Sequence, residues 1–390
     1  MSDSAYQKLV ELGEEVRLLA DAQALLGWDQ EVLMPSKGVE YRGKQMAWFS
    51  GWAHDRLTAP EVGEWIEAAE GEVQSDELAT ANLREWRHSY ERETKLPRRL
   101  VKEFAEAQVH AKSAWAEARE KSDFAVFAPH LKTLVSLCRE QTECWGYDKM
   151  PYDGLLDKFE RGASTETLTK TLHELREALI PIVEEATSRE PIDPSLLAGE
   201  YPQVKQEAFN REVAESIGFD FEAGRIETAV HPFCSGMAPF DTRLTTRYDE
   251  GDFRSSLFGV LHETGHGLYE QGLIQTWRGQ PSGDAGSLGI HESQSRLWEN
   301  QVGRSRAFWE KWLPRATEYF PHLVSVDVDT MVRAVNEASL SYIRVESDEV
   351  TYDLHILLRF EIEKLIFSGE LEIDEIPGAW NERFASYFGM

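Results

Sequence analysis

Apolar residues recur every three to four positions along most of the chain, which is the pattern of amphipathic helices. In the first half, such runs cover about 4–27, 39–57, 61–73, 76–94, 97–122, 124–146 and 165–188. In the second half, they cover about 253–272, 287–312, 328–336, 348–367 and 374–388. The pattern therefore predicts a mainly helical protein.

The segment 225–250 departs from this pattern because Thr, Leu, Arg and Tyr alternate along it. Alternation predicts a short β-ribbon or a small antiparallel sheet. Asp249, Gly251 and Asp252 then mark the start of the helix expected at about 253. No repeat or clear linker interrupts the sequence, so we expect one helical domain over residues 1–390 with a small β insertion.

Composition excludes several classes of protein. Hydrophobic residues make up 42% of the chain and aromatic residues 11%, which is enough for a large core. The net charge is −28, and no dense Lys/Arg block offers the basic surface that nucleic acids or anionic membranes require. No apolar stretch approaches the ~20 residues of a membrane span. We therefore expect neither nucleic acid nor membrane as a partner.

The three cysteines, Cys138, Cys144 and Cys234, show no CxxC spacing. They do not form a disulfide framework or a cysteine-based zinc site. The N-terminal residues also lack the basic region and apolar run of a signal peptide. These observations predict free thiols and a cytoplasmic protein.

The sequence carries one HExxH motif, with His262, Glu263 and His266 on a predicted helix. Spacing of i and i+4 puts both imidazoles on one helix face, where they can bind the same ion. Zinc in such a site lowers the pKa of a bound water toward ~7, and the adjacent carboxylate can take the proton. The alternative is a pair of structural histidines on an amphipathic helix.

Gly265 and Gly267 lie inside this helix, where each glycine costs ~1 kcal/mol relative to alanine. That cost is understandable if another chain segment or a substrate comes very close to the helix. We therefore expect a close approach at these two positions.

Two histidines need a third protein ligand from a nearby element. The candidates are Asp284, His291, Glu292 and Glu299. Glu292 is preferred because it completes the His₂Glu set of catalytic zinc sites. Alternatively, Glu292 complements the dipole at the N-terminus of its helix.

Three stretches of the chain together resemble a known family. They are HPFCSGMAPFDTRLTTRYDEGDFRSSLFGVLHETGHGLYEQGL, SLGIHESQSRLWENQVGRSRAFW and SYIRVESDEVTYDLHILLRFEIEKLI. These stretches resemble the thermostable (Taq-type) carboxypeptidases, which are HExxH metallocarboxypeptidases with a helical fold like that of neurolysin and angiotensin-converting enzyme. Family members carry a further segment with a GxxQDxHW motif, so we expect this chain to be C-terminally short relative to the family.

The resemblance assigns roles to individual residues. It makes His262, His266 and Glu292 the ligands of one divalent metal ion and Glu263 the general base. Zinc is the expected metal, although cobalt or manganese also suits such a ligand set. The resemblance also implies a homodimer.

Two further signatures concern substrate binding. The family's DxRxT signature includes Arg243 in this chain. Its second signature corresponds to the segment Ile343-Arg344-Val345-Glu346-Ser347-Asp348. Arginine suits bidentate pairing with a C-terminal carboxylate, so Arg344 is the first candidate and Arg243 the second. Either arginine could instead form a structural ion pair. His231 lines the cleft or is structural.

The sequence therefore predicts a metal-dependent carboxypeptidase that acts on peptides with a free C-terminus. Two alternatives stay open at this point. One is a metal-binding relative that is catalytically impaired because it lacks the C-terminal subsites. The other is a helical interaction scaffold without metal chemistry.

Overall fold

The computed structural model describes residues 4–73 and 76–390, apart from the side chain of Glu346. The helices are Ala5–Val32 (α1), Val39–Leu57 (α2), Pro60–Glu72 (α3), Glu77–Glu93 (α4), Arg98–Lys121 (α5), Phe124–Trp145 (α6), Pro151–Phe159 (α7), Thr165–Thr187 (α8), Gln203–Ser216 (α9), Phe253–Gly272 (α10), Leu288–Arg296 (α11), Arg306–Tyr319 (α12), Val328–Val335 (α13), Tyr352–Ser368 (α14) and Ile376–Phe388 (α15). A π-helical segment, Leu297–Val302, follows α11. The prediction of a mainly helical fold is confirmed.

Side-chain caps explain where several helices begin. The Ser164 hydroxyl accepts a hydrogen bond from the backbone N–H of Thr167 at the start of α8. Ser287 does the same for Ile290 at the start of α11, and Ser305 begins α12. Such caps satisfy N–H groups that the first helical turn leaves unpaired. The single helix expected over 287–312 is therefore two helices separated by the π segment and a turn.

The strands are Gly224–Thr228 (β1), Cys234–Ala238 (β2) and Asp241–Thr246 (β3). They form a three-stranded sheet in the order β1-β3-β2, directly before α10 in sequence. β2 pairs antiparallel with β3, as expected, but β1 pairs parallel with β3. The sheet is therefore mixed, and the expectation of a wholly antiparallel ribbon is wrong for β1.

The described chain divides into two compact units. The first contains the described residues up to Gly162, with Leu273–Gly286 and Ile366–Asp374. The second contains Ala163–Gly272, Ser287–Leu365 and Glu375–Met390. A single domain over residues 1–390 stays a prediction.

Aromatic packing forms the core of the second unit. Trp309 and Phe209 are fully buried, and Tyr201 stacks on Phe253 with 5.0 Å between ring centroids. Helix α10 contributes Phe253 and Leu257 to this core, which fixes its position. The helix that carries the HExxH motif is thus anchored through its first turns.

None of the described helices has the length and hydropathy needed to cross a bilayer.

Candidate metal centre and active site

The HExxH motif lies in the middle of α10, as the sequence predicts. His262 and His266 lie one turn apart on the same face, and their ring centroids are 5.0 Å apart. Glu263 is buried, with 4% of its surface exposed. Strands β2 and β3 and helices α9 and α11 pack around α10, so the motif is enclosed by secondary structure.

Gly265 allows α11 to touch α10 at the level of the backbone. A Cβ atom on Gly265 would lie 2.4 Å from the carbonyl oxygen of Gln294 and 2.6 Å from the Cα of Ser295. A Cβ atom on Gly267 would lie 2.6 Å from the ring of Phe219. The close approach expected at both glycines is confirmed, and in both cases a chain segment makes it.

The contact at Gly265 brings Glu292 of α11 opposite the two histidines. The Nε2 atom of His266 lies 3.1 Å from Oε2 of Glu292, and Nε2 of His262 lies 3.8 Å from Oε1. One donor atom from each residue falls within 4.8 Å of the others. Bonds of 2.0–2.1 Å in a tetrahedron separate neighbouring ligand atoms by about 3.3 Å. The donor set and its spacing therefore fit a divalent metal ion.

Glu299 lies behind His262 and is not one of the three converging donors. The Nδ1–H group of His262 donates a hydrogen bond to Oε2 of Glu299 over 2.8 Å. A carboxylate at Nδ1 fixes the tautomer and leaves Nε2 free to bind a metal. Glu299 follows Glu292 by two helical turns, so the sequence predicts that the two residues share a helix face. The sequence does not predict that Glu299 pairs with His262.

The other two candidates for the third ligand have different partners. The His291 ring donates to Glu270 over 2.9 Å and stacks on His266, with 4.5 Å between centroids. Asp284 pairs with Arg17. His291 thus supports the position of His266, whereas Asp284 belongs to the first compact unit.

The carboxylates of the site have different proton affinities. Burial raises the pKa of Glu263 to about 8, and the charges of Glu292 and Glu299 add to this rise. Burial alone would also raise the pKa of Glu292, but the His266 hydrogen bond and nearby positive charges lower it to about 2. Burial alone would raise the pKa of Glu299, but the His262 hydrogen bond lowers it. The site therefore keeps two ionised carboxylates beside one that holds a proton readily.

Arg296 and Tyr352 are also part of the site, although no sequence pattern predicted them. The Arg296 guanidinium contacts Glu292 and Glu299 together. Its Cζ atom lies 3.8 Å from the centroid of the Tyr352 ring. Positions i−4 and i+3 from Arg296 are both glutamates, which is the only signal the sequence offers.

Arg344 reaches the same tyrosine from a different segment. Its guanidinium donates a hydrogen bond to the Tyr352 hydroxyl, and Cζ lies 5.4 Å from the ring centroid. The side chain is half-buried and makes no ion pair with any carboxylate that the structure describes, a set that leaves out the side chain of Glu346. Asp348, from the same signature, accepts hydrogen bonds from the N–H groups of Val350 and Thr351 and so orders the start of α14.

The remaining substrate-binding candidates lie at the sheet. Arg243, on β3, forms a bidentate ion pair with Asp241, with both contacts at 2.8 Å. His231 lies between β1 and β2, and its Nδ1–H group donates to the carbonyl oxygen of Pro232 over 2.7 Å. Thr245 hydrogen-bonds both backbone groups of Phe233, which ties this loop to β3.

An HExxH helix with a glutamate on the next helix, set in a mainly helical fold, defines a metallopeptidase. The chain belongs to the Carboxypeptidase Taq (M32) metallopeptidase family, whose model matches residues 8–390. This membership confirms the predicted enzyme class, a metallocarboxypeptidase that hydrolyses peptide bonds.

Individual relatives agree with the family assignment. Thermostable carboxypeptidase 1 of Thermus thermophilus is 44% identical over 402 aligned residues, which cover 100% of this chain and 79% of that protein. Carboxypeptidase 1 of Bacillus subtilis is 36% identical, with 100% and 79% coverage. The crystal structure of M32 carboxypeptidase from Deinococcus radiodurans R1 superposes with a TM-score of 0.91 at 34% identity, covering 100% of this chain and 78% of that one.

Proposed function

We propose that this enzyme binds one zinc ion through His262, His266 and Glu292 and uses Glu263 as its general base. The observation that carries the proposal is the convergence of three donor atoms within 4.8 Å, with Glu263 buried beside them. Two imidazoles and one carboxylate suit zinc, and cobalt or manganese is also accepted by such sites.

The metal, when bound, supplies Lewis acidity that lowers the pKa of a water molecule and polarises the scissile carbonyl. Glu263 accepts a proton from the attacking water. The same carboxyl group then donates that proton to the leaving amine as the peptide C–N bond breaks. The raised pKa of Glu263 supports this role because a group that titrates near neutral pH can both accept and release a proton.

Glu299 keeps His262 in the tautomer that presents Nε2 to the metal. The 2.8 Å hydrogen bond at Nδ1 supports this role. A hydrogen-bonded histidine also keeps its ring orientation, so the donor is in place before the metal arrives.

We further propose that substrates are peptides with a free C-terminus and that Arg344 binds their terminal carboxylate. Arg344 has no carboxylate partner in the described part of the chain and contacts Tyr352, which also contacts Arg296 of the site. Arg243 is the second candidate because Asp241 already pairs with the Nε and Nη2 edge of its guanidinium. His231 is proposed to line the substrate cleft.

Homodimerisation and a cytoplasmic location are part of the same proposal. The family resemblance supports the homodimer. None of the three cysteines, all of which lie in the described part of the chain, forms a disulfide, which is typical of a reducing compartment. Light scattering on the purified chain and fractionation of its native host would test these two points.

The proposed chemistry is tested by Glu263→Gln. The amide cannot take a proton, so release of the C-terminal residue from an N-blocked dipeptide should fall by ~10²–10⁴-fold. Metal content should stay at one ion per chain because Glu263 is not a ligand. Glu215→Gln, on the exposed surface of α9, is the matched control and should keep full activity. Wild-type turnover in Glu263→Gln would remove Glu263 from the mechanism.

A further inference from the structure

Arg296 lies where α11 passes into the π segment, between two glutamates of the site. Its Nε–H group donates to Oε1 of Glu292 over 3.3 Å. Its Nη1–H group donates to Oε2 of Glu299 over 3.0 Å, the same oxygen that accepts the His262 hydrogen bond. The Arg296 guanidinium therefore contacts Glu292, a proposed metal ligand, and also Glu299, the carboxylate that hydrogen-bonds to the ligand His262.

Electrostatics alone does not explain why an arginine is here. A positive charge beside the site repels a divalent cation, so charge by itself would weaken metal binding. Without Arg296, however, the carboxylates of Glu292 and Glu299 would lose the two hydrogen bonds that join them through one rigid guanidinium. Each could then rotate away from the histidine it faces.

The ring of Tyr352 holds the guanidinium in place. Arg296 Cζ lies 3.8 Å from the ring centroid, which is cation–π geometry. The Tyr352 hydroxyl points to a different partner, because it accepts a hydrogen bond from Arg344. Arg344 also lies over this ring, but at the longer distance of 5.4 Å from Cζ to the centroid. Removing the hydroxyl alone therefore leaves the contact between the ring and Arg296 in place.

We propose that Arg296 is a positioning residue for the metal centre, which fixes the carboxylates of Glu292 and Glu299, and that the ring of Tyr352 fixes Arg296. This inference rests on the proposed ligand set. It predicts that metal affinity depends on the two-armed shape of the guanidinium and not on its charge.

Arg296→Lys separates shape from charge because lysine keeps the positive charge but cannot bridge both carboxylates. Co²⁺ is the probe, since its affinity follows from competition with a chelator and its visible absorption spectrum reports ligand geometry. We expect Arg296→Lys to bind Co²⁺ about 10- to 100-fold more weakly than the wild type, with an altered spectrum. Wild-type affinity with an unchanged spectrum would overturn the proposal. A wild-type protein that failed to bind Co²⁺ would instead refute the proposed ligand set.

A second pair of variants decides the question if Arg296→Lys fails to fold. Tyr352→Phe keeps the ring face and loses the hydroxyl, whereas Tyr352→Leu loses the ring. We expect Tyr352→Phe to bind Co²⁺ as the wild type does and Tyr352→Leu to lose affinity by a factor similar to that of Arg296→Lys. Equal Co²⁺ affinity in the two tyrosine variants would show that the ring does not position Arg296. Thermal unfolding of each metal-free variant separates this effect from general destabilisation.

Discussion

Replacing Gly265 by alanine would test whether the backbone contact between α10 and α11 sets the metal centre. The new Cβ atom would lie 2.4 Å from the Gln294 carbonyl oxygen and 2.6 Å from the Ser295 Cα. Carbon atoms in contact prefer ~3.5–4.0 Å, so α11 must move by about 1 Å. The atoms in the way belong to the backbone, so no side-chain rotation can relieve the overlap.

The effects on stability and on metal binding should differ in size. Overpacking costs ~1–3 kcal/mol, and alanine returns ~1 kcal/mol through its higher helix propensity. We therefore expect the free energy of unfolding to fall by only about 0–2 kcal/mol. Glu292 lies in the same helix as Gln294 and must move with it, whereas metal sites tolerate errors of only about 0.2 Å in ligand distance. Metal affinity should therefore drop by at least about 10-fold.

Urea unfolding of the metal-free protein and chelator competition measure the two quantities separately. Gly272→Ala is the matched control because it lies at the end of the same helix and its Cβ would meet no atom within 4 Å. The control should keep both stability and metal affinity. If Gly265→Ala bound metal as tightly as the wild type, the backbone contact would not set the separation of the ligands.

Three other predictions follow from the same site. Glu299→Gln should weaken metal binding by about 10- to 100-fold in chelator competition, because the amide no longer provides a charged acceptor for His262 Nδ1–H; unchanged affinity would make Glu299 dispensable. Arg344→Ala should cost ~2–5 kcal/mol in kcat/KM for peptides with a free C-terminus and scarcely change the low rate on amidated peptides, whereas equal losses would indicate a structural role. Removing the metal should lower the unfolding temperature, since an ion at 1,000 times its Kd stabilises the fold by ~4 kcal/mol; calorimetry that shows the same temperature with and without chelator would contradict this.

Local sequence signals predicted the parts of the site that depend on one helix. The i, i+4 spacing of His262 and His266 follows from helix geometry and needs no knowledge of tertiary structure. The roles proposed for Arg296 and Glu299 depend on how α11 and the following π segment pack against α10, and residue spacing cannot supply that information. Four residues were candidates for the third ligand for the same reason.

The fold shows the same division between local and distant information. Helices α2 and α10 occupy the predicted ranges because each has a regular apolar stripe and a breaker at its end. The short helix α7 and helix α9 were not predicted. The parallel pairing of β1 with β3 was also missed, because β2 lies between them in sequence and the hairpin pattern of β2 and β3 dominates the local signal.

The direct contact of α10 with α11 also has a consequence for the size of ion that fits. Because the backbones of the two helices are already in contact, the distance between the metal-binding atoms of α10 and α11 can change little unless a whole helix moves. The observed spacings of 3.1 and 3.8 Å span the ~3.3 Å that bonds of zinc or cobalt length require. Calcium, with bonds of 2.3–2.6 Å and six to eight ligands, would have to part the two helices and open a void along their contact. We therefore expect the helix contact at Gly265 to favour ions with short metal–ligand bonds, although Gly265 is not itself a ligand.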